Sequence, residues 1–168
     1  MEKESQRLLE SVMKLIAAQF GPDCEVVLHD WSKEYESTIV AIENGHVSGR
    51  KVGDGGSNLG LEVMRGTTDG SNQLNYITQT QDGRMLRSSS LYLTDENGKK
   101  VGALCINLDI TDSLRMESFL KQYNGYSPDQ IQDGAEESME YFANNVQDLL
   151  QHLVQQAQQK IGKPVAIM

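Results

Sequence analysis

Between Glu4 and Phe20, apolar residues recur at helical spacing (Leu8, Val12, Leu15 and Ile16) with charges between them, and Gly21-Pro22 stops the pattern. That spacing predicts an amphipathic helix with one buried stripe. Shorter runs of strand character follow: Cys24 to Trp31, Thr38 to Glu43, Gln73 to Thr80, Met85 to Thr94 and Lys100 to Ile110. Asp82-Gly83 and Asn97-Gly98 mark tight turns between the last three. A glycine-rich loop, residues 44–56, precedes a short helix from Leu59 to Arg65 that Ser57 or Asn58 can cap. The order is helix, two strands, helical crossover, three strands, which is an α+β chain.

The last third reads as helical. Ser127-Pro128-Asp129-Gln130 is a capping box with proline at the first helical position, and Tyr126 and Ile131 can form its staple. Past Gly134, the positions Ala135, Met139, Phe142, Val146, Leu149, Leu153, Ala157 and Ile161 advance by threes and fours until Gly162 and Pro164. So long a seam either docks lengthwise on the sheet or pairs with another helix. Gln156 interrupts it after about three heptads, which argues against a long coiled coil. The expected division is a sheet domain over residues 1–115 and a helical extension over residues 116–168.

Alternation sorts each strand into two faces. One face collects Val26, Leu28, Leu91, Leu93, Leu104, Ile106 and Leu108. Each such burial contributes roughly 1.5–3 kcal/mol, so the N-terminal helix is expected to cover this face. The other face collects Val27, His29, Leu86, Ser88, Ser90, Tyr92, Ala103, Cys105 and Asn107. Small and polar side chains leave volume and unmet hydrogen bonds, so a cavity for a small, partly polar ligand is expected there. The plainer alternative is that Ser88 and Ser90 bond neighbouring backbone or buried water. Cys24 and Cys105 fall on opposite faces, so a disulfide between them is not expected.

Composition narrows the function. Lys and Arg total 15 against 24 Asp and Glu, a net charge of −9. Such a surface repels phosphate backbones, and any contact with DNA must come from another segment. No run of apolar residues reaches membrane-spanning length, the N-terminus is not a signal peptide, and the cysteines lack metal-ligand spacing. A cytoplasmic protein without a bound metal is expected.

Three segments carry a resemblance. Phe20-Gly21-Pro22-Asp23-Cys24-Glu25-Val26-Val27-Leu28-His29-Asp30, Asn44-Gly45-His46-Val47-Ser48-Gly49-Arg50-Lys51-Val52-Gly53-Asp54 and Gly102-Ala103-Leu104-Cys105-Ile106-Asn107-Leu108-Asp109 resemble the YheO-like PAS family of bacterial transcriptional regulators. The resemblance implies a five-stranded antiparallel PAS (profilin-like) sheet, a ligand-sensing role and a DNA-binding helix-turn-helix after the sensor. No helix-turn-helix pattern occurs in this sequence, so the chain is read as the sensor half, reaching DNA only through a domain outside it. The run from Gly102 to Thr111 is also similar to the last strand of PAS domains generally, including the flavin-binding light sensors. That likeness implies a pocket-facing amide at Asn107 and pocket positions for His29, Ser88 and Ser90. The Asn-Cys-Arg motif of the flavin sensors is absent, so flavin is disfavoured and no cofactor is expected.

The candidate ligand-binding set is therefore His29, Arg50, Ser88, Ser90, Cys105 and Asn107. His29 is either a ligand contact or an internally bonded strand residue. Arg50 either reaches an anionic ligand or is a solvated loop charge, and its glycine-rich loop reads as a mobile lid rather than a phosphate cradle. The three histidines lie on three different elements and no serine sits in a nucleophile elbow, so an enzyme is not expected. The reading is a small-molecule-sensing module, with a homodimer as its expected assembly. A ligand-free dimerisation module, working through the seam from Met139 to Ile161, is the alternative.

Overall fold

A computed structural model describes residues 3–68, 70–125 and 141–161. Helix α1 (Lys3–Phe20) stops at Gly21, whose φ of +85° lets its amide reach back to the Ala17 carbonyl at 2.9 Å. The chain then runs through β1 (Cys24–Asp30), a single 3-10 turn (Tyr35–Ser37), β2 (Ile39–Glu43) and α2 (Asn58–Arg65). Strands β3 (Gln73–Gln79), β4 (Met85–Thr94) and β5 (Lys100–Asp109) follow, then α3 (Thr111–Asn124) and α4 (Val146–Ile161). The strands form one antiparallel sheet in the order β2-β1-β5-β4-β3.

Each expected strand is present, with ends shifted by a residue at most. Gly83 and Gly98 take positive φ at the two expected turns. The order puts β5 in the middle of the sheet, with the N-terminal strand β1 beside it. Glu25 stands opposite Asn107, which stands opposite Ser88; Val27, Cys105 and Ser90 form the next row, and His29, Ala103 and Tyr92 the one after. Residues more than seventy positions apart thus share one face.

On the opposite face, Met13 and Ala17 of α1 pack on Cys24, Val26, Leu28 and Leu104, with Leu9 and Ile16 at the margin. The stripe is therefore rotated from the expected one. Met13 is fully buried, whereas Leu8 is 66% exposed and Leu15 also faces out. Two apolar rows, one residue apart, lie about 100° apart on the helix, and only packing selects between them. The cover is also narrower than expected. The helix lies over β1 and β2, and Leu91 on β4 remains 44% exposed. Cys24 sits in this core, Cys105 lies across the sheet, and both are free thiols.

The chain divides into two units, Met1–Ser118 and Phe119–Met168. In the second, the expected continuous seam is broken. Tyr141 to Asn145 is not helical, so Phe142 precedes α4, and the Asn145 side chain accepts the Asp148 amide at 2.9 Å to cap the helix. The C-terminal helix is correspondingly shorter than expected. The capping box at 127–130 and the seam positions Ala135 and Met139 lie outside the described residues. No described helix is long and apolar enough to cross a membrane.

Candidate functional site

Glu25 anchors the mixed face. Its neighbours Cys24 and Val26 point into the α1 core, so alternation drives its carboxylate toward the other side, where it is fully buried. A buried carboxylate needs donors on both oxygens. Oε1 accepts from Arg50 Nη2 at 2.7 Å and Asn107 Nδ2 at 2.8 Å, and Oε2 accepts from the Ser48 amide at 3.3 Å and the Ser48 hydroxyl. Arg50 Nε in turn donates to Ser48 Oγ at 2.9 Å. Arg50 is thus paired inside the protein, with its side chain still 26% exposed.

Gly45 makes that geometry possible. A Cβ there would stand 2.4 Å from the Arg50 carbonyl oxygen, so only glycine allows the loop to fold back so tightly. Farther along, the loop bonds to β2, with the Ile39 amide on the Asp54 carbonyl and the Gly53 amide on the Ile39 carbonyl, both at 2.9 Å. The loop expected to act as a lid bonds to the sheet at Glu25 and Ile39, the buried carboxylate drawing in the donors the loop carries.

From Asn107 the network continues across the sheet. Ser88 Oγ donates to Asn107 Oδ1 at 2.8 Å and shares a 2.8 Å bond with Thr78 Oγ1. A second chain links Tyr76 Oη to Ser90 Oγ at 2.8 Å and Ser90 Oγ to Cys105 Sγ at 3.3 Å. The serines therefore bond side chains across strands rather than backbone.

Beside this network is a cleft of about 520 Å³, bounded by the sheet, residues 48–50 and the start of α2. A water-sized recess of about 20 Å³, lined by Trp31, Tyr35 and Tyr92, shares His29, Ser90 and Cys105 with it. The cleft lies within the ordinary range for small-ligand sites. His29, Arg50, Ser90, Cys105 and Asn107 line it. Ser88 shares their face but is not part of the lining, and its hydroxyl bonds Asn107 and Thr78. Glu25, Thr38, Tyr76 and Thr78 belong to the site and were absent from the sequence-derived set. Glu25 had a readable signal, an acidic residue in phase with Val27 and His29 in a strand of otherwise apolar character.

The electrostatics favour neutral forms. Burial, with the Arg50 charge adding to it, pulls the His29 imidazole down from 6.5 to about 4. Its Nδ1 bonds Thr38 Oγ1 at 3.0 Å, and Nε2 has no partner among the described residues. The internal bond of the second sequence reading of His29 is present on Nδ1, and the ring also lines the cleft. Burial pushes the Cys105 thiol and the Tyr76 phenol up, and the Tyr92 phenol up to about 12. A protonated thiol is a weak nucleophile, so the lining offers hydrogen bonds rather than covalent chemistry. Among the described residues, no cluster of His, Cys, Asp or Glu is arranged to hold a metal ion.

A family model described as the YheO-like PAS domain matches residues 1–125. The chain is 26% identical to an uncharacterized protein of Haemophilus influenzae over 98% of its own length and 72% of that protein's. It is 28% identical to the uncharacterized protein YheO of Escherichia coli, over 84% of this chain and 56% of YheO. Over 57% of this chain and 43% of the relative, it is 37% identical to the transcriptional regulator DauR of Pseudomonas aeruginosa. The match therefore spans about half the length of YheO and less of DauR. Among solved structures, the dark structure of the blue-light photoreceptor Aureochrome1 LOV is similar at a TM-score of 0.41 and 17% identity, covering 67% of this chain and 94% of that one.

Proposed function

The chain belongs to the YheO-like PAS domain family, regulatory domains related to a transcriptional regulator rather than a family of enzymes, and from that premise we propose that it is a small-molecule receptor. In this reading the ligand occupies the cleft between the Glu25–Asn107–Ser88 network and the start of α2, and its binding alters the output of a regulator that touches DNA through another domain in the cytoplasm. The observation that carries it is a ligand-sized hollow beside a polar, hydrogen-bonded network drawn from four separate strands. A filled core offers no such hollow, and a structural network needs none. Ligand binding changes output only through different affinities for two arrangements, and the segment 48–58, tied to the sheet through Glu25, is placed to feel occupancy.

Native mass spectrometry of the purified chain tests this. A bound small molecule is expected on the wild type and is expected to be lost from Cys105→Phe, which fills the hollow. A wild-type chain that carries nothing, and whose melting temperature is unmoved by a total metabolite extract, would count against the receptor.

A second reading rests on a different observation: Leu149, Leu150 and Leu153 of α4 are all exposed. An apolar row of this kind suits a homodimer contact, with or without a ligand in the cleft. Light scattering of Leu149→Lys/Leu153→Lys is expected to show the mass fall from dimer to monomer. A wild-type monomer, or a dimer that survives both changes, removes α4 from the interface.

A further inference from the structure

The cleft lining carries a cation where the chain as a whole is acidic, and that cation is paired with the buried Glu25 behind it. In a protein of net charge −9, the lining contains one cation, Arg50, and no aspartate or glutamate among the described residues. Facing the same space is the N-terminus of α2, from Ser57 to Leu59. The first amides of a helix have no acceptor within it, and here only that of Gly60 is met, weakly, by Ser57 Oγ at 3.5 Å. The Asn58 and Leu59 amides have no partner among the described residues.

An independent feature points into the same space. His29 lines the cleft with Nδ1 bonded to Thr38, and since no buried side-chain nitrogen among the described residues lacks a partner, its unbonded Nε2 is the edge of the ring that reaches the open space. Arg50 has its Nε and one Nη occupied by Ser48 and Glu25, leaving other guanidinium protons toward the opening. Its charge adds to the lowering of His29 and partly offsets the burial that raises Tyr35, Tyr76 and Cys105. Tyr35 in turn hydrogen-bonds the Ser57 carbonyl, which links the Arg50 side of the cleft to the head of α2.

Building on the receptor reading, we infer that the cleft takes a short organic acid, its carboxylate held by the Arg50 guanidinium together with the Asn58 and Leu59 amides. Guanidinium and helix-terminal amides are the donors a carboxylate selects, since both add charge or dipole to the hydrogen bond. Hydroxyl or amino groups on the rest of the molecule find His29 Nε2, Tyr76 and Ser90 at the floor. Glu25 keeps its own donors and serves to hold Arg50 in position.

Malate and its neutral diamide, titrated into the isotope-labelled full chain with the Leu59 amide followed by NMR, test the class. Malate is expected to shift that amide saturably in the millimolar range, and the diamide is not. Arg50→Lys, which keeps the charge but loses the fork, is expected to weaken malate about tenfold. Asn58→Pro removes one free donor at a position where proline suits a helix start and Ser57 is already extended (ψ 166°), so about fivefold weaker binding with an unchanged or higher melting temperature is expected. Equal response to malate and its diamide, or full affinity in Asn58→Pro, would overturn the acid while leaving a receptor for neutral molecules. No saturable response to malate would overturn it too, with the receptor itself then standing or falling on the bound molecule sought by mass spectrometry.

Discussion

Arg50→Met is expected to destabilise the domain by about 3–5 kcal/mol, more than the loss of its partner Glu25. The two ends of this ion pair differ in their access to water. Glu25 is fully buried, and without the guanidinium its carboxylate keeps only Asn107 and Ser48 as donors in a low-dielectric setting. Arg50 is partly exposed and can turn to solvent if its partner is neutralised. Glu25→Gln keeps the volume and one carbonyl oxygen, so about 1–2 kcal/mol is expected for it. At roughly 2–4 °C per kcal/mol for a chain of this size, Arg50→Met should melt about 10 °C lower and Glu25→Gln only a few degrees lower. The double variant should recover part of the Arg50→Met loss, because it no longer buries an unpaired charge. Thermal and urea denaturation of the three variants check this. Equal costs for the two single changes would mean that the carboxylate reaches water when Arg50 is removed.

Stability is also expected to fall as the pH drops from 6.5 toward 4, with His29 as a main cause. The unfolded chain takes up a proton on this imidazole near 6.5, whereas the folded chain resists until about 4, because burial and then the Arg50 charge disfavour the cation. Between those values unfolding binds a proton, so the folded state loses ground as acid is added. The contribution is intact above 6.5, declines through the window and amounts to about 3 kcal/mol lost by pH 4. Carboxylates add their own acid dependence, so the diagnostic is a difference. His29→Gln, which can still bond Thr38 but does not titrate, should be less stable than wild type at neutral pH and should lose less on acidification. Parallel stability curves for the two proteins between pH 7 and 4.5 would show that His29 titrates normally in the fold.

Much of this architecture could be read before any coordinates. Period-two alternation placed Ser88, Ser90, Cys105, Asn107 and His29 on one side of the sheet and the leucines on the other, and the register bears this out. The phase of a strand is a local property, since a one-residue slip would turn every leucine toward the wrong side. Strand ends were readable for the same reason, as turns at Gly83 and Gly98 demand residues that accept positive φ. On α1 the expected row Leu8-Val12-Leu15-Ile16 and the row Leu9-Met13-Ile16 share Ile16, and nothing local distinguishes them. Contact with β1 and β2 makes that choice. Likewise, the seam toward Ile161 has helical spacing through Phe142, yet the helix begins only after the Asn145 cap.

The sequence alone thus determined which side of each strand every residue occupies, because chirality and the pleat impose that residue by residue without reference to the rest of the chain. It could not determine who meets whom. That Glu25 joins Asn107 across 82 positions and Arg50 across 25, and that this leaves His29 Nε2 facing open space, depends on strand order and loop path. Partners for a buried charge are chosen by the whole fold, since the energy that selects them exists only once water has been excluded.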